Sequence, residues 1–171
     1  MSDDAPRIYV AGASHERLTV VRPLMEAVVE RGFVNAFDWT RAPGFDGPVA
    51  PEVDEQVARD ELDAISASRV FWYVAPAEHK SEGSSTELGY ALALLRLPHL
   101  FLDAPTLRIL VVSGSSRFRF GRIFPRLANT TCTFEHHAEA LVFLGEYAKG
   151  VTEGVRPERP YVPDEVLKLG A

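Results

Sequence analysis

Along the chain, short unbroken apolar runs alternate with stretches in which apolar residues recur every three or four positions. Arg7 to Ala11, "RIYVA", closes at Gly12 and predicts a strand buried on both faces. From Leu18 to Phe33 the residues Val21, Leu24, Met25, Val28 and Val29 keep helical spacing, Pro23 falls early in that helix or kinks it, and Gly32 supplies a stop. Val34 to Trp39 predicts a second strand, followed by the Gly- and Pro-rich loop "TRAPGFDGPVAPE". Asp54 to Ser66 carries Val57, Ala58, Leu62 and Ile65 at helical spacing among acids, an acidic amphipathic helix. Val70 to Val74, "VFWYV", predicts a third strand rich in β-branched and aromatic residues. "SEGSSTELGYALALL", from Ser81, begins as a polar loop and continues as a helix with Leu88, Ala91, Leu92 and Leu95 on one face. Leu110 to Val112 predicts a fourth strand, Ile123 to Leu127 a short helix, and Thr131 to Phe134 a fifth strand. A helix over Ala138 to Ala148 follows, with Gly150 beyond its end.

Apolar strands alternating with helices imply an α/β fold: a doubly wound, mostly parallel five-stranded sheet with helices on both faces. In such sheets the ligand crevice lies at the carboxyl ends of the strands. The loops that matter are then Gly12 to Glu16, the one after Trp39, Ala75 to Ser85, and Ser113 to Gly121. Residues 1–150 read as one domain, and 151–171 as a Pro-rich tail expected on the surface, against a partner subunit if there is one. No internal repeat or second domain is visible.

Composition narrows the function. A length of 171 residues suffices for one domain that buries about 70% of its unfolded surface. Net charge −6 argues against general nucleic-acid binding and leaves a small molecule as the expected partner. No signal-like or membrane-length apolar segment is visible, so a soluble cytoplasmic protein is expected. The single cysteine, Cys132, reads as a small buried hydrophobe. With His136 and His137 it makes no closed metal site, since adjacent histidines face different ways. Neither Gly-x-Gly-x-x-Gly nor a Walker loop follows a strand, so dinucleotide redox chemistry and triphosphate hydrolysis lack support.

Glu87 carries the chemistry or caps its own helix. Ser84-x-x-Glu87 ahead of an apolar run is a capping-box pattern, in which the carboxylate returns to the backbone. The other reading places Glu87 over the crevice, beside loop amides that bind an anion, as a nucleophile. "GSSTELGYAL" resembles the signature loop of the nucleoside 2-deoxyribosyltransferase and nucleoside 5′-monophosphate N-glycosidase superfamily, in which Glu-x-Gly-Tyr-Ala opens a helix. "RIYVAGAS", "ARDELDAISASRVFWYVAP", "ILVVSG" and "FEHHAEALVFL" are similar to its other elements in order and spacing, over most of residues 7 to 145.

The resemblance implies a flavodoxin-like sheet, no cofactor, and homodimers or higher homo-oligomers in which a neighbour completes the pocket. Glu87 matches the nucleophile, Gly12 and Ser14 the loop near sugar or phosphate, and Tyr9 the first-strand residue. The family's orienting acid falls in register on Glu61, with Asp60 one residue out of register as the other candidate, and Arg69 stands where the family has a second Asp. Ser81 stands where the transferases tend to carry a base-binding acid and the nucleotide hydrolases a phosphate-binding Ser. Ser14, Ser81, Ser84 and Ser85, with the backbone at Gly83, are therefore phosphate-binding candidates or ordinary loop residues. Tyr90 is a candidate partner of the Glu87 carboxylate or a packing residue. Arg117, Arg119 and Arg122 offer either bidentate phosphate contacts or a solvated loop. Phe118 and Phe120 alternate with them, but the acidic chain argues against nucleic-acid stacking. Trp72 reads as core and Trp39 as an open candidate for stacking on a base.

The expected activity is cleavage or transfer at the N-glycosidic bond of a (deoxy)nucleoside or nucleoside 5′-monophosphate. Such a bond breaks through an oxocarbenium-like state that a carboxylate beneath C1′ stabilises or captures. The alternatives are a non-catalytic nucleotide-binding sensor on the same fold, and cleavage of a nicotinamide dinucleotide by the same Glu.

Overall fold

The computed structural model describes residues 5–45, 47–77, 81–96, 106–114 and 131–152. Within them lie strands β1 (Arg7–Ala11), β2 (Val34–Asn35), β3 (Val70–Val74), β4 (Ile109–Ser113) and β5 (Thr131–Phe134). The helices are α1 (Arg22–Glu30), α2 (Pro51–Ser66), α3 (Glu82–Arg96) and α4 (His137–Thr152). All strand pairs are parallel and the sheet order is β2-β1-β3-β4-β5, the flavodoxin-like arrangement. The order reverses between β1 and β3, so the crevice expected of this topology opens there.

Burial explains the unbroken runs. Every residue of β3 and β4 is buried, because α1 packs with α4, and α2 with α3, around the sheet. Trp72 is core, fully buried, with its indole N–H donating to Ser113 Oγ at 2.8 Å. Burying one such ring contributes roughly 1.5–3 kcal/mol. Ser113 Oγ lies 2.7 Å from His137 Nδ1, so the first turn of α4 is fastened to the end of β4.

Several boundaries differ from the sequence reading. The helix expected from Leu18 to Phe33 is α only over Arg22–Glu30; Arg17–Val21 forms a wider π turn before it. Pro23 falls in the first turn of α1, where its missing N–H has no helical partner to lose. Gly32 ends that helix as expected, at φ 92°, with Phe33 N bonded to Val28 O and Gly32 N to Val29 O. The second strand stops at Asn35 instead of Trp39. α2 begins at Pro51, and α4 runs through Gly150 to Thr152, so Val151 and Thr152 belong to a helix and not to the tail. The helix expected at Ile123 to Leu127, and the rest of the tail, lie outside the described residues. Among the described residues no helix is long and apolar enough to cross a membrane.

Candidate functional site

Three carboxyl ends meet at the crevice: the turn after β1, the loop after β2, and the segment joining β3 to α3. Each is fixed by a local rule. Gly12 follows β1 with no room for a side chain, since a Cβ there would stand 2.5 Å from Val21 Cγ2. β2 has ended by the time β1 reaches Val10. Ala36 N occupies Ile8 O at 2.8 Å, and the next free carbonyl, Val10 O, accepts the Trp39 indole N–H at 2.8 Å. The indole thus replaces a rung of the sheet. Thr40 beside it is held by Arg22, whose Nε donates to Thr40 Oγ1 at 3.0 Å and whose Nη2 donates to Thr40 O at 2.9 Å. Phe45 leans on Trp39 with ring centroids 5.9 Å apart, and the Arg17 guanidinium lies 4.6 Å from the Phe45 centroid.

Ser81 precedes α3 and acts as its cap: its Oγ accepts from Ser84 N at 3.4 Å. The hydroxyls of Ser84 and Ser85 donate to Ser81 O, at 3.4 and 2.7 Å. The capping box expected between Ser84 and Glu87 is therefore not formed. Because the helix starts at Glu82, Ser84 is already inside it and Glu87 lies too far along to reach the cap amide.

Instead the Glu87 side chain turns onto the sheet. Its Oε1 accepts the Tyr9 hydroxyl at 2.5 Å, and Glu87 is only 8% exposed. Burial pushes this carboxyl up to about 8; the Tyr9 hydrogen bond opposes the rise and the charge of Glu61 adds to it. Burial likewise raises Glu61, and burial together with Glu87 raises Tyr9 well above the ordinary phenol range.

These residues surround a cavity of about 350 Å³, within the range of small-molecule sites. It is lined by Gly12, Ser14, Trp39 and Phe45 from the first half of the fold and by Glu61, Ser81, Glu82, Gly83, Ser84 and Glu87 from α2 and the start of α3. The fold thus brings together Glu87, Glu61, Tyr9, Gly12, Ser14, Ser81, Gly83 and Ser84 from the sequence-stated candidates. Asp60 is a correction. It is exposed, accepts from Gln56 Nε2 at 2.8 Å, and faces a different groove beside Phe37 and Arg41, because one residue along a helix is a turn of about 100°. Tyr90 also stands elsewhere: its hydroxyl meets Ser66 Oγ at 2.8 Å, and the hydrogen bond on Glu87 comes from Tyr9. Ser85 is committed to the helix start and does not line the cavity. Arg69 sits at the opposite end of β3, its Nε on Tyr147 Oη at 3.0 Å.

Glu82 and Phe45 line the cavity without having been singled out from the sequence. The signal for Phe45 was its place in the loop after Trp39, at the carboxyl end of the sheet; for Glu82 it was adjacency to Ser81. Arg117, Arg119, Arg122, Phe118 and Phe120 lie outside the described residues. Among the described residues no group of three His, Cys, Asp or Glu could hold a metal ion. No protein-family model matches the chain, and no curated protein matches it in sequence.

Proposed function

We propose that the protein cleaves, or transfers at, the N-glycosidic bond of a (deoxy)nucleoside or nucleoside 5′-monophosphate, with Glu87 as nucleophile. The observation that supports this most is the orientation of Glu87: a carboxyl more than nine-tenths buried, held by Tyr9, lining a ligand-sized cavity instead of capping its helix. Trp39 and Phe45 also line that cavity and give it aromatic surface suited to a base.

In the reaction a Glu87 oxygen bonds to C1′ while the glycosidic electron pair leaves with the base nitrogen. Tyr9 fixes the other oxygen, and Glu61, lining the same cavity, orients the sugar or takes the proton of the second nucleophile. Water then yields the free sugar, and a second base yields exchange; either restores the Glu87 carboxylate with retained configuration.

The test is incubation of the full chain with a panel of nucleosides and 5′-monophosphates, with free base measured chromatographically. Release by the native chain and none by Glu87→Ala supports the proposal, and a labelled second base distinguishes transfer from hydrolysis. Binding without release, with affinity unchanged in Glu87→Ala, assigns the fold to a sensor. That alternative has one observation in its favour: a carboxyl titrating at about 8 is mostly protonated, and so not yet nucleophilic, at pH 7.

A further inference from the structure

The cavity has a pronounced sign. Three carboxyl side chains line it, Glu61, Glu82 and Glu87, and among the described lining residues there is no Lys, Arg or His. The most buried of them, Glu87, has one oxygen on the Tyr9 hydroxyl. Trp39 and Phe45 line it as well, two rings tilted at 45° to each other. Phe45 already meets one cation, the Arg17 guanidinium 4.6 Å from its ring centroid, outside the lining of the cavity. Carboxylates and aromatic rings lining one cavity are the groups by which proteins select flat or quaternary cations.

We infer that the ligand of this cavity is a nucleoside whose base is itself positively charged, such as a pyridinium or an N-alkylated purine. The inference rests on the proposed N-glycosidic chemistry and names its leaving group. A cationic base needs no proton donor to depart: the C1′–N electron pair neutralises the ring nitrogen, Glu87 bonds to C1′, and water completes the reaction. The sum is cationic nucleoside plus water giving sugar, neutral base and one proton. An incoming cation also favours the ionised form of Glu87, whose burial otherwise keeps it protonated, so that the substrate turns on its own nucleophile.

The decisive measurement compares two ligands of one shape. Nicotinamide riboside carries the charge; benzamide riboside, linked through carbon, is its neutral isostere. Titration calorimetry on the full chain should show the cation bound about tenfold more tightly, a gap that Glu82→Gln narrows to about threefold or less. Equal affinities, or tighter binding of the neutral isostere, overturn the inference. Base release is read in parallel on nicotinamide riboside and deoxyadenosine. Release from deoxyadenosine together with equal affinities leaves the glycosidic reading intact and removes only the charged base. Selective binding of the cation with no release from either keeps the charged ligand and removes the catalytic reading.

Discussion

At the level of single residues, the site depends on one buried carboxyl, Glu87, whose environment is wrong for a surface acid and suits the proposed role of nucleophile. Its ionisation sets the pH profile. In the proposed reaction the carboxylate is the reactive form, and with its ionisation pushed up to about 8, kcat/KM for base release should fall about tenfold per pH unit below that point. Tyr9→Phe removes the hydrogen bond that opposes the rise, so the inflection should move to higher pH; an unmoved inflection would assign Tyr9 to packing alone. Glu61→Gln should lower kcat by about 100-fold, whereas Asp60→Asn, on another face of the helix, should stay within about twofold. This contrast was only half legible beforehand. Register along the chain favoured Glu61, but the choice between neighbours is settled by the angle at which α2 meets the sheet. Phe45 was less legible still, since a Gly- and Pro-rich loop fixes no side-chain direction until Trp39 has been anchored on Val10 O.

Elements were read best where both neighbours agree on burial. β3 runs over the expected residues because a fully covered strand announces itself as an apolar block, and β5 does so too although only Cys132 in it is buried. β2 was overextended: Trp39 looked like the end of a strand, yet its indole and not its backbone meets β1. The start of α3 was misplaced for a related reason, since Ser81 and Ser84 both suit a cap and only the backbone chooses between them. Glycine positions offer the clearest element-level test. At Gly114, φ is +95° and a Cβ would lie 2.9 Å from His137 Cε1 and 3.1 Å from Ala75 O. Gly114→Ala should therefore destabilise the fold by about 1–3 kcal/mol, seen as a lower urea midpoint at unchanged m-value.

For the molecule as a whole, the same carboxyls tie stability to pH. Folding raises the ionisation points of Glu87 and Glu61 above their unfolded values, so the native state binds more protons than the unfolded chain across that interval. Stability should decline as pH climbs from about 4.5 to about 8 and level off beyond, and Glu87→Gln should flatten the decline; thermal melts across that range read both. The general plan, five parallel strands with the crevice beside β1 and β3, was legible because alternating apolar blocks and amphipathic stretches admit few layered arrangements. Cys132, on β5, provides a gauge of global opening. It is the chain's sole thiol, 2% exposed, with ionisation pushed by burial up to about 12. Alkylating reagents attack thiolates and must reach them, so the native molecule is inert and each modified chain records an excursion in which β5 came away from β4. Labelling with and without nucleoside then turns that silent sulfur into a clock for ligand-induced tightening.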